Sequence, residues 1–153
     1  MEHHFGYIAD GQMVLSELGK IAQTCWQAIP DHFPFVKLDA YIIMPNHVHG
    51  IIIVDKLGTQ HTDAQTQETH NVQTQNIASL RPHNTFGPQS GNLASIIRGF
   101  KIGVTKQARI ILPEFAWQPR YHDHIIRNEE SWDRIANYIV NNPASWKQDK
   151  FFL

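Results

Sequence analysis

Residues 36–54 read VKLDAYIIMPNHVHGIIIV, and this stretch decides the fold. Its first part, 36–43, alternates polar and apolar residues before becoming fully apolar, and its second part, 47–54, is rich in β-branched residues, so both predict strands. The tripeptide 44–46 separates them, because proline lacks the donor that a strand ladder needs and asparagine favours turns. The sequence therefore predicts an antiparallel hairpin whose second strand, apolar on both faces, lies inside a sheet.

One helix is predicted before this hairpin and one after it. Apolar residues at steps of three and four predict an amphipathic helix over 14–29, with Trp26 on its buried stripe. The same spacing predicts a helix that begins at Leu93, with Asn92 or Ser90 as its N-cap. Each helix has one apolar stripe, and we expect that stripe to pack on the sheet.

The last part of the chain predicts a strand followed by a helix. Residues 117–127 indicate the strand, and Asn128 is a suitable N-cap, followed by two glutamates that suit the helix dipole. The helix is expected to end at Asn142, because the residue before a proline avoids the α region. With a short strand at 4–8, closed by a turn at Asp10-Gly11, the order β-α-β-β-loop-α-β-α predicts an α+β fold with helices on an antiparallel sheet.

Composition predicts a single domain, 1–153, with a polar insertion. The chain has 153 residues, 42% hydrophobic and 18% charged, and the segment from about 56 to 92 contains almost nothing to bury, which predicts a flexible insertion. Lysine plus arginine is 13 against 14 for aspartate plus glutamate, and this formal charge of −1 excludes a uniformly basic surface but not a local basic face.

The same composition excludes two further classes of protein. One cysteine excludes an internal disulfide framework and a zinc site made of cysteines alone, and it fits a reducing compartment. No apolar run approaches the roughly 20 residues of a membrane span. We therefore expect a cytoplasmic protein without a membrane partner.

Among the ten histidines, His47 and His49 have the most informative spacing. Residues two apart on a strand point to one face, where two imidazoles can hold one divalent ion. The alternative is a structural role at the end of a strand. His122 and His124 repeat the spacing around an aspartate, so they are a second ligand pair or a source of supporting hydrogen bonds.

Tyr138 lies on the last predicted helix, with Asn142 four residues on and therefore on the same face. A tyrosine with its free pKa near 10 is a poor nucleophile, unless its target phosphate is polarised. A metal held by two histidines could polarise a phosphodiester, and the amide oxygen of Asn142 would suit Mg²⁺ or Mn²⁺ as a third ligand. Taken alone, a partly buried structural tyrosine is the alternative.

Local basic charge follows the insertion. Helical spacing brings Arg98, Lys101 and Arg109 close together, with Lys106 further round, and no acidic residue lies between Glu68 and Glu114. A solvated helix face is the alternative interpretation. Two more candidates for phosphate contacts flank the predicted strand at 117–127, and these are Arg120 and Arg127.

Three blocks of this sequence resemble a known family. The block 44–50, MPNHVHG, resembles the His-hydrophobic-His (HUH) motif of the single-tyrosine transposases, in the form used by the REP-associated tyrosine transposases. The block 117–127, WQPRYHDHIIR, is similar to that family's strand before the catalytic helix, and 138–143, YIVNNP, resembles its tyrosine helix. The blocks occur in the family's order, and the resemblance runs from about Phe5 to Phe152 without the insertion.

This resemblance implies a ferredoxin-like domain that acts on single-stranded DNA, often at hairpins of repetitive palindromes. His47 and His49 would bind Mg²⁺ or Mn²⁺, with Asn142 as third ligand. Tyr138 would attack the scissile phosphate and leave a 5′-phosphotyrosine link and a free 3′-hydroxyl, so that strands can be exchanged without ATP. Such an enzyme would work on nucleoid DNA.

The chain departs from the family at its start, because members usually have another strand before the segment equivalent to Phe5. We therefore expect a sheet whose first strand is shortened or missing, and a homodimer would allow a partner chain to supply a substitute. The alternative function is a catalytically inactive DNA-binding remnant of a transposase. A third function, a small metallohydrolase using both His-x-His pairs, lacks an obvious water-activating base.

Overall fold

The computed structural model of the chain describes residues 2–55 and 91–148. Within them the chain forms, in order, β1 (Gly6–Ala9), β2 (Gln12–Leu15), α1 (Glu17–Gln27), α2 (Ile29–His32), β3 (Val36–Ile43), β4 (Val48–Val54), α3 (Leu93–Ile111), α4 (Glu129–Asn141) and a 3₁₀ helix (Asn142–Gln148). The predicted insertion at 56–92 lies outside the described residues except for its last two positions. No described helix has the length and apolar character needed to cross a membrane.

The described strands form two antiparallel hairpins. Strand β1 pairs with β2, and β3 pairs with β4 in a register that begins at Val36↔Val54 and ends at Ile43↔Val48. The amide of Met44 donates to the carbonyl of His47 at 2.8 Å and closes the second hairpin at the predicted turn. The predicted hairpin is therefore confirmed, and so is the α+β class with helices packed on antiparallel sheet. The prediction that the second strand lies inside a sheet is wrong for the described residues, because β4 pairs there with β3 alone.

The first helix begins later than predicted. Helix α1 begins at Glu17, whereas the predicted helix began at Val14, which instead lies in β2 opposite Tyr7. Ser16 is the N-cap, because its hydroxyl accepts a hydrogen bond from the amide of Gly19 at 3.1 Å. The apolar stripe of α1 simply continues the apolar residues of β2 in sequence, so periodicity alone does not separate the two elements.

The strand predicted at 117–127 is wrong, because the structure forms no strand there. The carbonyl oxygens of Gln118 and Arg120 accept hydrogen bonds from the ammonium group of Lys101 instead of from a neighbouring strand. Arg120 also has a φ of 71°, in the left-handed region that strands do not use.

Asn142 does not avoid the α region, contrary to the prediction. Its angles are φ −56° and ψ −41°, and the chain passes from α4 directly into the 3₁₀ helix. Pro143 is the second residue of that 3₁₀ helix. The 3₁₀ helix therefore follows α4 without an intervening loop.

Trp26 organises the core between the second hairpin and helices α1 and α3. Its indole stacks on Tyr41 with ring centroids 6.0 Å apart and meets the ring of Phe100 edge-on at 5.3 Å. It also lies directly against the backbone of Gly50. Because successive strand residues point to opposite faces, His49 points away from Trp26, toward α4. Helices α1 and α4 thus cover opposite faces of the second hairpin.

Candidate functional site

His47 and His49 come together as the strand alternation predicts. Their Nε2 atoms lie 2.9 Å apart, and their rings meet edge to face with centroids 4.5 Å apart. His47 is the last residue of the turn, and His49 is the second residue of β4. We refer to these two side chains as the imidazole pair.

Asn46 fixes the orientation of one member of the imidazole pair. Nδ1 of His47 lies 2.7 Å from Oδ1 of Asn46, whose side chain is buried. An amide oxygen only accepts, so His47 donates from Nδ1, and its Nε2 presents a lone pair toward His49. The sequence pattern predicted a turn at Asn46 but no role in orienting His47. The signal that could have indicated this role is the position of Asn46 directly before a candidate ligand.

The imidazole pair fits a divalent metal ion. Two ring nitrogens that bind one ion at about 2.1 Å, at roughly a right angle, are about 3 Å apart. The observed separation of 2.9 Å matches that arrangement. Within 2–55 and 91–148, no three His, Cys, Asp or Glu side chains form a group that could hold a metal. His122 and His124 are therefore not gathered with the imidazole pair, and the metallohydrolase built on both pairs gains no support.

Tyr138 contacts one member of the imidazole pair and Trp146 contacts the other. The Tyr138 ring is 5.5 Å from that of His49, and the Trp146 ring is 6.0 Å from that of His47. Tyr138 is 53% exposed, whereas Trp146 is buried. Asn142, the predicted third ligand, lies one helical turn from each of them and is also buried. Nothing in the sequence near the histidines indicated Trp146.

Four of the five predicted DNA-binding residues line one groove. It has a volume of about 640 Å³ and lies between α3 and residues 120–121. We call it the α3 groove, and its basic residues are Arg98, Lys101, Lys106, Arg109 and Arg120. Lys106 belongs to this set although helical spacing placed it apart. Arg127 does not, since it lies beside the start of α4 with Glu129 and Asp133.

Lys101 holds one wall of the α3 groove in place. Its Nζ donates to the carbonyls of Gln118 at 3.1 Å and Arg120 at 2.8 Å, and its own carbonyl accepts from Nε1 of Trp117 at 3.1 Å. Burial lowers the pKa of Lys101 below its usual value. The ammonium thus connects α3 to the segment 117–120, which otherwise has no secondary structure.

Replacing Lys101→Met is expected to lower the free energy of unfolding by about 1 kcal/mol, because two carbonyls lose a charged donor. The difference should depend on pH. Because the pKa is lowered in the folded state, the unfolded chain binds more protons at this group as the pH approaches 10, so wild-type stability rises relative to Lys101→Met. Urea unfolding at pH 7 and pH 9.5 measures both effects.

Lys106→Met is the matched control, since Lys106 is exposed on the same helix. Its effect on stability should stay within about 0.5 kcal/mol at both pH values. Equal stability of Lys101→Met and Lys106→Met at pH 7 would contradict the role given to Lys101.

Comparison with known proteins adds one relative. The chain is 40% identical over 150 residues to a protein of Haemophilus influenzae whose description reads "Uncharacterized protein", and the match covers 97% of this chain and 77% of that one. No protein-family model matches the chain, and no solved structure matches it with significance. With this identity over almost its whole length, the chain belongs to the same protein family as the Haemophilus influenzae protein.

Proposed function

We propose that the protein is a metal-dependent endonuclease and strand transferase for single-stranded or hairpin DNA, with Tyr138 as its nucleophile. It would act on nucleoid DNA in the cytoplasm. The observation that carries this proposal is the convergence of two imidazole nitrogens, 2.9 Å apart, beside an exposed tyrosine whose ring is 5.5 Å from His49.

The arrangement supports a metal-assisted attack on a phosphodiester. Mg²⁺ or Mn²⁺ bound by His47 and His49, with Asn142 as an oxygen ligand, would supply polarisation of the phosphodiester and compensation of its developing charge. The hydrogen bond from His47 to Asn46 keeps the Nε2 lone pair of His47 directed toward the site. The buried ring of Trp146 lies 6.0 Å from the same imidazole.

Tyr138 carries the covalent step. Its Oη attacks the phosphorus and gives up a proton, so that a tyrosine–phosphate bond forms while the bond from phosphorus to the 3′ oxygen breaks. The 3′ oxygen takes up a proton and leaves as a hydroxyl group. The 5′ phosphate stays on Tyr138, and attack by a 3′ hydroxyl reverses the reaction and joins strands. Positioning dominates such in-line transfers.

Tyr138→Phe tests this proposal directly. Wild-type protein, incubated with Mn²⁺ and a 5′-labelled and a 3′-labelled hairpin with single-stranded flanks, should form a covalent adduct that carries the DNA 3′ of the cut. Tyr138→Phe should abolish the adduct, because the ring remains but the attacking oxygen is gone. Denaturing gel electrophoresis separates the adduct from free DNA.

Tyr7→Phe is the control, since Tyr7 is an exposed tyrosine on β1, and it should leave adduct formation unchanged. An adduct that survives Tyr138→Phe contradicts the proposed nucleophile. Wild-type protein that binds the hairpin without forming an adduct identifies the alternative function, an inactive DNA-binding remnant.

A further inference from the structure

We propose that the α3 groove binds a single-stranded segment of DNA. Phosphates would contact its exposed basic residues, here called the rim, and an unpaired base would contact its apolar residues Ile97, Ile102 and Tyr121, here called the floor. The inference rests on the proposed function in taking DNA as the ligand. It concerns a surface separate from the imidazole pair, because the groove is built from α3 and residues 120–121, whereas the candidate nucleophile lies on α4.

The rim of the α3 groove carries positive charge that no described acidic group compensates. Arg98, Lys106 and Arg120 are exposed, and none forms an ion pair with a carboxylate in 2–55 or 91–148. No aspartate or glutamate of the described chain lines the groove. A groove with only cations on its rim attracts a polyanion, and a nucleic acid backbone supplies closely spaced phosphates.

The floor of the groove distinguishes a single strand from a duplex. Ile102 is 61% exposed and Tyr121 is 44% exposed, and both lie among the rim cations together with the half-buried Ile97. A duplex presents phosphates to the rim but hides the faces of its bases in the stack. An unpaired base offers a π-face to Tyr121 and an apolar surface to Ile102, as in other single-strand grooves.

Hydrogen bonds hold one wall of the α3 groove against α3. Lys101 connects α3 to the carbonyls of Gln118 and Arg120, which sets the wall that carries Tyr121. Its volume of about 640 Å³ falls within the range of roughly 300–1,000 Å³ typical of small-molecule sites, enough for a nucleotide. A preformed wall reduces the ordering that binding requires.

Binding is measured by fluorescence anisotropy with a labelled, unstructured 20-nucleotide DNA in EDTA, so that neither metal nor cleavage contributes. The double variant Arg98→Gln/Lys106→Gln should bind at least about tenfold more weakly, and its log–log salt slope should fall by about 1.4, which is about 0.7 per phosphate contact. The double variant Lys20→Gln/Lys37→Gln loses the same charge elsewhere, on α1 and β3, and should retain most of the affinity.

Substitutions of Tyr121 test whether an unpaired base stacks in the α3 groove. Tyr121→Ala should weaken single-strand binding about tenfold, whereas Tyr121→Phe should bind like wild type, because stacking needs the ring and not the hydroxyl. Fully paired DNA of equal length should bind more weakly than the single strand and should be insensitive to Tyr121→Ala. Circular dichroism melting checks that the exposed substitutions leave the fold intact.

The proposal is wrong if the Arg98/Lys106 variant binds like the Lys20/Lys37 variant, if Tyr121→Ala has no effect, or if duplex DNA or RNA of the same sequence binds more tightly than single-stranded DNA. Failure here is distinct from failure of the nuclease. The binding measurements in EDTA are made on protein with Tyr138 intact, so loss of the covalent adduct in Tyr138→Phe leaves them unaffected.

Discussion

His47→Ala is expected to reduce Mn²⁺-dependent cleavage of hairpin DNA by at least about hundredfold, which corresponds to about 2.7 kcal/mol of transition-state stabilisation. The reason is geometric. The two Nε2 atoms converge to 2.9 Å, so removing one imidazole leaves the other unable to hold a divalent ion in place. Single-turnover cleavage at saturating DNA measures the effect, and calorimetric titration with Mn²⁺ should show the loss of binding in parallel.

The matched control is His32→Ala, because His32 is exposed on α2 and is not part of the imidazole pair. It should cleave and bind Mn²⁺ like wild type. His49→Ala should repeat the defect of His47→Ala, and the two losses should not add, since both remove one site. Cleavage that persists in His47→Ala at the wild-type rate would exclude the imidazole pair as the metal site.

Gly50→Ala is expected to destabilise the protein by about 2–3 kcal/mol, which lowers the melting temperature by roughly 5–10 °C. A β-carbon at residue 50 would overlap Cζ2 of the Trp26 indole and come within 2.9 Å of its Cη2. The indole is 4% exposed and is held by Tyr41 and Phe100, so it has no space to move away. Differential scanning calorimetry provides the measurement.

Gly103→Ala controls for the general effect of replacing glycine. Its β-carbon would meet Sγ of Cys25 at 3.6 Å, an ordinary contact, in the interior of α3. It should therefore stabilise the protein by up to about 1 kcal/mol through helix propensity. Trp26→Phe removes the two atoms nearest the new methyl group, so Gly50→Ala should cost much less in that background. Additive effects of Gly50→Ala and Trp26→Phe would refute the steric explanation.

The parts of the fold that local chemistry determines could be predicted from the sequence. The second hairpin follows from two β-branched runs around a proline. Helices α3 and α4 begin where predicted because Asn92 and Asn128 cap them, each side chain accepting from the amide of a serine three residues later, at 2.9 Å and 2.8 Å. Such signals act within one turn of chain, so they remain readable without knowledge of the tertiary structure.

The two errors in secondary structure have different causes, one a distant residue and the other a local pattern. The segment 117–127 has the alternation of a strand, but Lys101 binds its carbonyls from α3. At the start of α1 a nearer signal existed, since Ser16 caps the helix, yet the apolar spacing obscured it. Tertiary contacts override local preference in the first case, and two overlapping periodicities compete in the second.

In the candidate site, too, some features follow from local sequence and others depend on the tertiary structure. That His47 and His49 share a face follows from strand alternation alone. The approach of Trp146 does not, because nothing in their spacing connects positions so far apart in sequence. Helical spacing predicted that Lys106 lies apart from Arg98. Both line the α3 groove, because residues 120–121 extend the groove beyond one face of the helix.

The uninterrupted passage from α4 into the 3₁₀ helix at Asn142 has a mechanical consequence. Tyr138 on α4 contacts His49, and Trp146 on the 3₁₀ helix contacts His47. Because no loop separates the two helices, a displacement of the backbone at Asn142 affects the elements that carry both rings. The position of the proposed nucleophile and the contact of Trp146 with His47 are therefore coupled through one short segment of backbone around Asn142.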